Sequence, residues 1–145
     1  MGNQENHNLE VEDTNKLLAQ FGLQWTNLYT DAKKLVLPKG NPLLGGLQWG
    51  YYTGNLILLD KSHPAHPKAV VENDLSQKPV AGTRDERGAL MASAELGKGR
   101  VVVITDAGWL TNMALNEEGI GGLVIKGQDN LEILDRLVRW TARKK

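Results

Sequence analysis

Cysteine is absent from the chain, which excludes disulfides, thiolate metal centres and a cysteine nucleophile together. An excess of either charge is missing as well. Seventeen basic residues balance seventeen acidic ones, so no overall field draws the protein to nucleic acid or to an anionic membrane surface. No apolar run approaches the roughly 20 residues of a membrane-spanning helix, and residues 1–8 are polar, without the basic and apolar regions of a signal peptide. As written, the chain is expected in the cytoplasm; cut from a longer chain, it fits a periplasmic or secreted protein equally well. There is no Gly-x-Ser-x-Gly elbow, so no serine nucleophile is announced.

What remains is an ordinary globular composition, 41% hydrophobic and 23% charged over 145 residues. That length supports one domain with a real core but not two. The reading is a flexible tail over residues 1–12 and a single α/β domain over 13–145. From Asp13 or Thr14, either able to cap, Leu17, Leu18 and Phe21 make a helical apolar stripe that Gly22 stops. Residues 23–29 alternate imperfectly, as a short strand would. Pro38, Gly40, Pro42, Gly45 and Gly46 punctuate a loop, and residues 47–60 read as strand, tight turn at Gly54-Asn55, strand. Residues 69–72 fit an edge strand, and the polar stretch 73–88, with its Arg84-Asp85-Glu86-Arg87 run, an exposed loop.

The clearest pattern follows. Residues 89–96 and 100–105, joined by Gly97-Lys98-Gly99, predict a hairpin whose second strand, with its unbroken run Val101-Val102-Val103-Ile104, lies at the centre of the sheet. A short helix is expected within residues 109–115, then a glycine-rich connection with Gly119, Gly121, Gly122 and Gly127 around apolar residues 123–125. Asp129 with Glu132 looks like a capping box opening a last helix. Its broad apolar face carries Leu134, Leu137, Val138 and Thr141 with Ile133 and Trp140 beside them, and Arg136, Arg139, Arg143, Lys144 and Lys145 suit its negative end.

The order of these pieces, Asn15 to Gly22, Asn41-Pro42-Leu43, Gly97 to Asp106, and Asp129-Asn130 opening a helix with Leu137-Val138-Arg139-Trp140, resembles the C-terminal half of a domain of the class I glutamine amidotransferase-like superfamily, in its non-amidotransferase branch. The resemblance implies a flavodoxin-like three-layer sandwich, incomplete at its N-terminal side and carrying β-hairpins. It makes the chain a fragment, a subunit completed by a partner, or a trimmed variant. Without a nucleophile, it carries a fold better than a reaction.

Asp106 stands where the buried strand ends, and ligands of open α/β sheets gather beyond the carboxyl ends of strands. A carboxylate there either binds a ligand or serves as acid or base, or else caps the helix that follows. Trp109, Thr111 and Asn112 share that loop and complete the candidate ligand site. His63 and His66, near Asp60, are metal-ligand types, but Pro64 and Pro67 prevent a helix that would align the rings and no third ligand is spaced with them, so no metal is expected. Trp49, Tyr51 and Tyr52 alternate with Gly50 and read chiefly as core. No cofactor is expected. The leading function is a non-enzymatic ligand- or partner-binding domain, for a small molecule, a sugar or a protein. The alternatives are a hydrolase of sugars or peptides using Asp106, and an assembly module pairing through a sheet edge as a homo-oligomer or with a complementary half-domain.

Overall fold

The structure is a computed structural model that describes residues 11–31, 34–51, 53–73, 88–106, 108–116 and 126–142. Tyr52, the Arg84 to Arg87 run, Gly119, Gly121, Gly122, the apolar residues 123–125, Arg143, Lys144 and Lys145 lie outside the described residues.

The chain begins with helix α1 (Val11–Leu18), continued by a 3₁₀ turn (Ala19–Phe21). Gly22 ends it in the left-handed conformation the sequence predicted, with φ 68°, its N–H donating to the Ala19 carbonyl. The helix starts two residues before Asp13, so neither Asp13 nor Thr14 is its cap. Asp13 instead pairs with Lys16 one turn on. Strands β1 (Leu23–Asp31), β2 (Leu35–Val36), β3 (Gln48–Trp49), β4 (Thr53–Leu59), β5 (Lys68–Glu72), β6 (Ala89–Leu96) and β7 (Gly99–Ile104) follow, with the short helix α2 (Asn112–Leu115) and the long helix α3 (Asn130–Ala142). The fold is mixed α/β, and every pairing among the described strands is antiparallel. β2 and β3 form a separate two-stranded ribbon.

The predicted hairpin is present. β6 and β7 pair from Met91 with Ile104 to Leu96 with Gly99, leaving Gly97-Lys98 as a two-residue turn. Gly97 alone has a positive φ there, 59°, the pattern of a II′ turn whose twist suits the flanking strands. The centre of the sheet, however, is β6 rather than β7. Ala89 pairs with both Ile57 of β4 and Glu72 of β5, and Met91, Ala92 and Ser93 pair with both β5 and β7. β4 and β7 therefore follow one another along the same edge of β6, with β5 along the other. Small side chains make this placement affordable: Ala89, Ala92, Ser93 and Ala94 are all buried, whereas Val101, Val102 and Ile104 of β7 are only half-buried. A continuous valine run signalled burial on both faces, but the strand packed on both faces and paired on both edges is the alanine-rich one.

Successive residues of β7 point to opposite faces, and they sort into two cores. Val102 and Ile104 pack against a cluster that holds Leu35, Leu37, Leu44, Trp49, Tyr51, Trp109, and Ile133 and Leu137 of α3. Val101 and Val103 belong with Leu18 of α1, Leu23, Ile57, Ala65 and the alanines of β6. Each sheet face thus carries one helix. Register slips interrupt the ladder between Ala69 and Val71 and again between Val71 and Glu72, so that Val70 on β5 and Leu90 on β6 have no register partner across the β5–β6 pair, as at β-bulges.

The expected turn at Gly54-Asn55 is not there. Both residues lie inside β4, paired with Thr30 and Tyr29 of β1. Glycine serves close approach at this point: a Cβ on Gly54 would stand 2.6 Å from the Thr105 carbonyl oxygen and 2.7 Å from Tyr51 Oη. This predicts an asymmetry between two glycines. Gly54→Ala must displace backbone and is expected to lose about 1–3 kcal/mol by overpacking, while Gly40→Ala, with open space around it and no positive φ, should stay within about 0.5 kcal/mol. Urea unfolding midpoints of the two variants check this, and equal losses would return Gly54 to a turn.

Candidate functional site

The loop beyond β7 begins with Thr105, whose N–H and Oγ1 both donate to the Leu90 carbonyl at 3.1 Å. Tyr51 Oη lies 3.3 Å from the same Oγ1. Asp106 comes next and is only 7% exposed. Its Oδ1 accepts the Gly108 N–H at 2.6 Å, an Asx turn two residues long that sets up the 3₁₀ turn Gly108–Leu110. Thr111 is exposed; its Oγ1 donates to the Gly108 carbonyl at 3.0 Å and accepts the Ala114 N–H at 3.2 Å, capping α2. Asn112 opens α2, and its side chain lies outside the described residues.

Trp109 is fully buried. Its ring stands edge-on to Trp49 with centroids 5.9 Å apart, and Trp49 stands edge-on to Tyr51 at 4.9 Å. Such pairs add about 0.5–1.5 kcal/mol each beyond the area they bury. The cost is polar: among the described residues neither Trp49 Nε1 nor Trp109 Nε1 has a hydrogen-bond partner, and an orphaned buried donor loses about 1–3 kcal/mol. These indoles are packing elements first. Their ring area outweighs their unused N–H groups.

Three consecutive side chains tie this loop to the rest. Gln128 Nε2 donates to the Ala114 carbonyl at 2.6 Å while its Oε1 accepts the Asn130 N–H. Asp129 exchanges two bonds with the Gln48 backbone, its Oδ2 accepting the Gln48 N–H and its own N–H donating to the Gln48 carbonyl, both at 2.7 Å. Asn130 is 1% exposed. Its Oδ1 accepts the Gly50 N–H at 2.8 Å and its Nδ2 donates to the Gly50 carbonyl at 3.3 Å, with the Trp109 carbonyl at 3.5 Å. The capping box is therefore not formed: the Asp129 carboxylate serves Gln48 instead of its own helix, and Glu132 pairs forward with Arg136 at 2.8 Å. The helix end is satisfied by Gln128, a residue the motif does not include.

The structure brings Asp106, Trp109 and Thr111 into one segment, but Asp106 Oδ1 and Thr111 Oγ1 bond to its own backbone and Trp109 is buried in the core. The open space lies elsewhere. A groove of about 1350 Å³ runs between residues 35–41, the end of β4, the 60–67 loop and β5. Leu35, Leu37, Ile57, Val71 and Ala89 line it as buried residues, and Val36 and Leu58, 60% and 48% exposed, form apolar lips. Lys61, His66 and Lys68 stand at one end and Glu72 toward the other. A shallower pocket of about 550 Å³ beside Asp129, Leu131 and Glu132 opens at the start of α3. Neither is lined by Asp106, Trp109 or Thr111.

The histidine loop contributes Lys61, His66 and Pro67 to the cationic end of the groove. Asp60 Oδ1 accepts both the N–H and the hydroxyl of Ser62. Those bonds, hydroxyl first, hold its carboxyl below the usual range, with a further contribution from His63. His63 Nδ1 accepts the Ala65 N–H at 3.2 Å, and His66 takes a positive φ of 46°. Among the described residues no group of three or more histidine or acidic side chains is placed to hold a metal ion.

The clamp yields a prediction. Asn130→Ala strands the buried Gly50 N–H and should cost about 1–3 kcal/mol in chemical unfolding followed by tryptophan fluorescence. Glu132→Ala removes only an exposed pair and should cost at most about 0.5 kcal/mol; an equal loss at both positions would restore the capping box. Comparison with known proteins returns no match to the chain, whether to a family model, a curated protein or a solved structure.

Proposed function

We propose that this protein is a non-enzymatic ligand-binding domain and that the ligand sits in the groove between residues 35–41, β4 and β5. One observation carries the reading: an apolar-walled concavity of about 1350 Å³ whose lips, Val36 and Leu58, are large aliphatic side chains left open to water. Small-molecule sites are concave and mostly apolar, with a few polar groups at defined points. The groove has that composition; the Asp106 loop, whose carboxylate and threonine bond to their own turn, does not.

The resemblance to the class I glutamine amidotransferase-like superfamily belongs to the same proposal, and with it the flavodoxin-like layer arrangement. What supports it is the order of the β6–β7 hairpin and the terminal helix α3, and the presence of a helix on either sheet face. A flavodoxin-like sheet requires parallel neighbours, whereas every described pairing is antiparallel, so this part requires a complementary half-domain to supply the parallel strands, and an assembly with no parallel interstrand NOE pattern would sink it.

For the binding reading, isothermal titration with dodecanol, kept below its aggregation limit, is expected to show one site. The double variant Val36→Asn/Leu58→Asn alters only exposed residues and should fold normally, yet bind about tenfold more weakly through lost apolar contact. Unchanged affinity in the variant would remove the groove from consideration.

A further inference from the structure

We infer that the groove selects a free single-chain anionic amphiphile, with its carboxylate at the Lys61–Lys68 end and its chain along β5; this rests on the groove being the binding site. The argument is one of polarity. Lys61 and Lys68 both line the groove and are exposed, and Glu72, the acidic side chain among its described lining residues, stands at the far end of β5. Between them β5 contributes Ala69, Val70 and Val71. At about 3.3 Å per residue the two ends lie roughly 13 Å apart. A ligand with one anionic head and one apolar tail matches a groove that is cationic at one end, aliphatic in the middle and acidic at the other. A dianion or a cation would meet Glu72 or the lysines unfavourably.

Two features argue against an extended peptide in the same place. Val70 has no register partner on β6, and its carbonyl, which a pairing strand would seek, already accepts Asn41 Nδ2 at 2.6 Å. Asn41 is itself held, its Oδ1 accepting the Leu43 and Leu44 N–H groups at 3.0 and 2.9 Å. The loop bearing Asn41 therefore closes on β5 at the point where a peptide would have to add its backbone bonds.

The test compares three probes of one tail length, dodecanoate, dodecanol and dodecylammonium, by titration at low ionic strength below their micellar concentrations. The wild-type protein should prefer dodecanoate over dodecanol by about tenfold, from two partly screened ion pairs. Lys61→Glu/Lys68→Glu should reverse the order in favour of dodecylammonium while leaving dodecanol unchanged. Equal binding of all three probes to both proteins overturns the anionic selectivity and leaves the groove reading standing. Failure of every probe to bind the wild type overturns both. Sedimentation with phosphatidylglycerol vesicles separates the sources: the protein is expected to stay in the supernatant, and charge-dependent co-sedimentation would overturn a free ligand in favour of a membrane headgroup.

Discussion

Everything on the Trp49 side of the sheet depends on Asn130 holding Gly50. The bond crosses 80 residues of sequence and is fully buried, so neither partner can fall back on water, and the amide is matched on both its donor and acceptor sides by one peptide unit. That reciprocity fixes the distance between the end of β3 and the start of α3. Gln48, two residues earlier, is fixed the same way by Asp129. With both points set, Trp49 and Tyr51 enter the core on either side of Gly50, and Trp109 closes against Trp49. The aromatic stack is large in area but non-directional; the amide bonds give it an address. A buried polar group fully satisfied by backbone costs little and excludes alternatives, whereas the two orphaned indole N–H groups show what the same burial costs when no partner is at hand.

The opposite face is built on small residues. β6 turns Ala89, Ala92 and Ala94 to the side that holds Leu18 of α1, Leu23 and Ile57, and Leu90 and Met91 to the aromatic cluster on the other. The register slips in the β5–β6 pair leave Val70 and Leu90 without partners across it. The Leu90 carbonyl accepts two donors from Thr105, which locks the exit of β7 and directs the chain into the Asp106 turn. Asp106 thereby acts as a turn former, holding the 3₁₀ segment that delivers Trp109 to the core.

What was legible in the sequence was what local chemistry decides. The Gly97-Lys98 turn, the strands on either side of it, the Gly22 stop and the apolar stripe of α3 depend on residues within one or two turns of each other, and periodicity registers them. The errors share one cause. Gly54-Asn55 has the composition of a tight turn, but its role is set by the Thr105 carbonyl, about 50 positions away. Asp129-x-x-Glu132 has the spacing of a capping box, but the Asp129 carboxylate is claimed by Gln48, 81 residues earlier. The valine run of β7 looked central because apolarity was taken for burial, when alanine was the better sign of a crowded strand. The groove had no signature at all, because its walls come from four separated stretches that no local pattern links. For the Asp106 loop the sequence posed the choice between cap and site, and in the structure Asp106 Oδ1 accepts the Gly108 N–H.

The groove is also where the two cores meet. Leu35, Leu37 and Val71 belong to the aromatic side and Ile57 and Ala89 to the alanine side, yet all five line one cavity. A cavity reached from both faces of a sheet must lie where the sheet itself ends, and β6 does begin at Ala89, the one residue flanked by β4 and β5 together. Among the described residues the sheet is held there by one β4–β6 register pair, Ile57 with Ala89. A ligand filling that space would bury apolar surface against both cores at once and cross-brace the junction, so binding and folding stability are linked through the same residues.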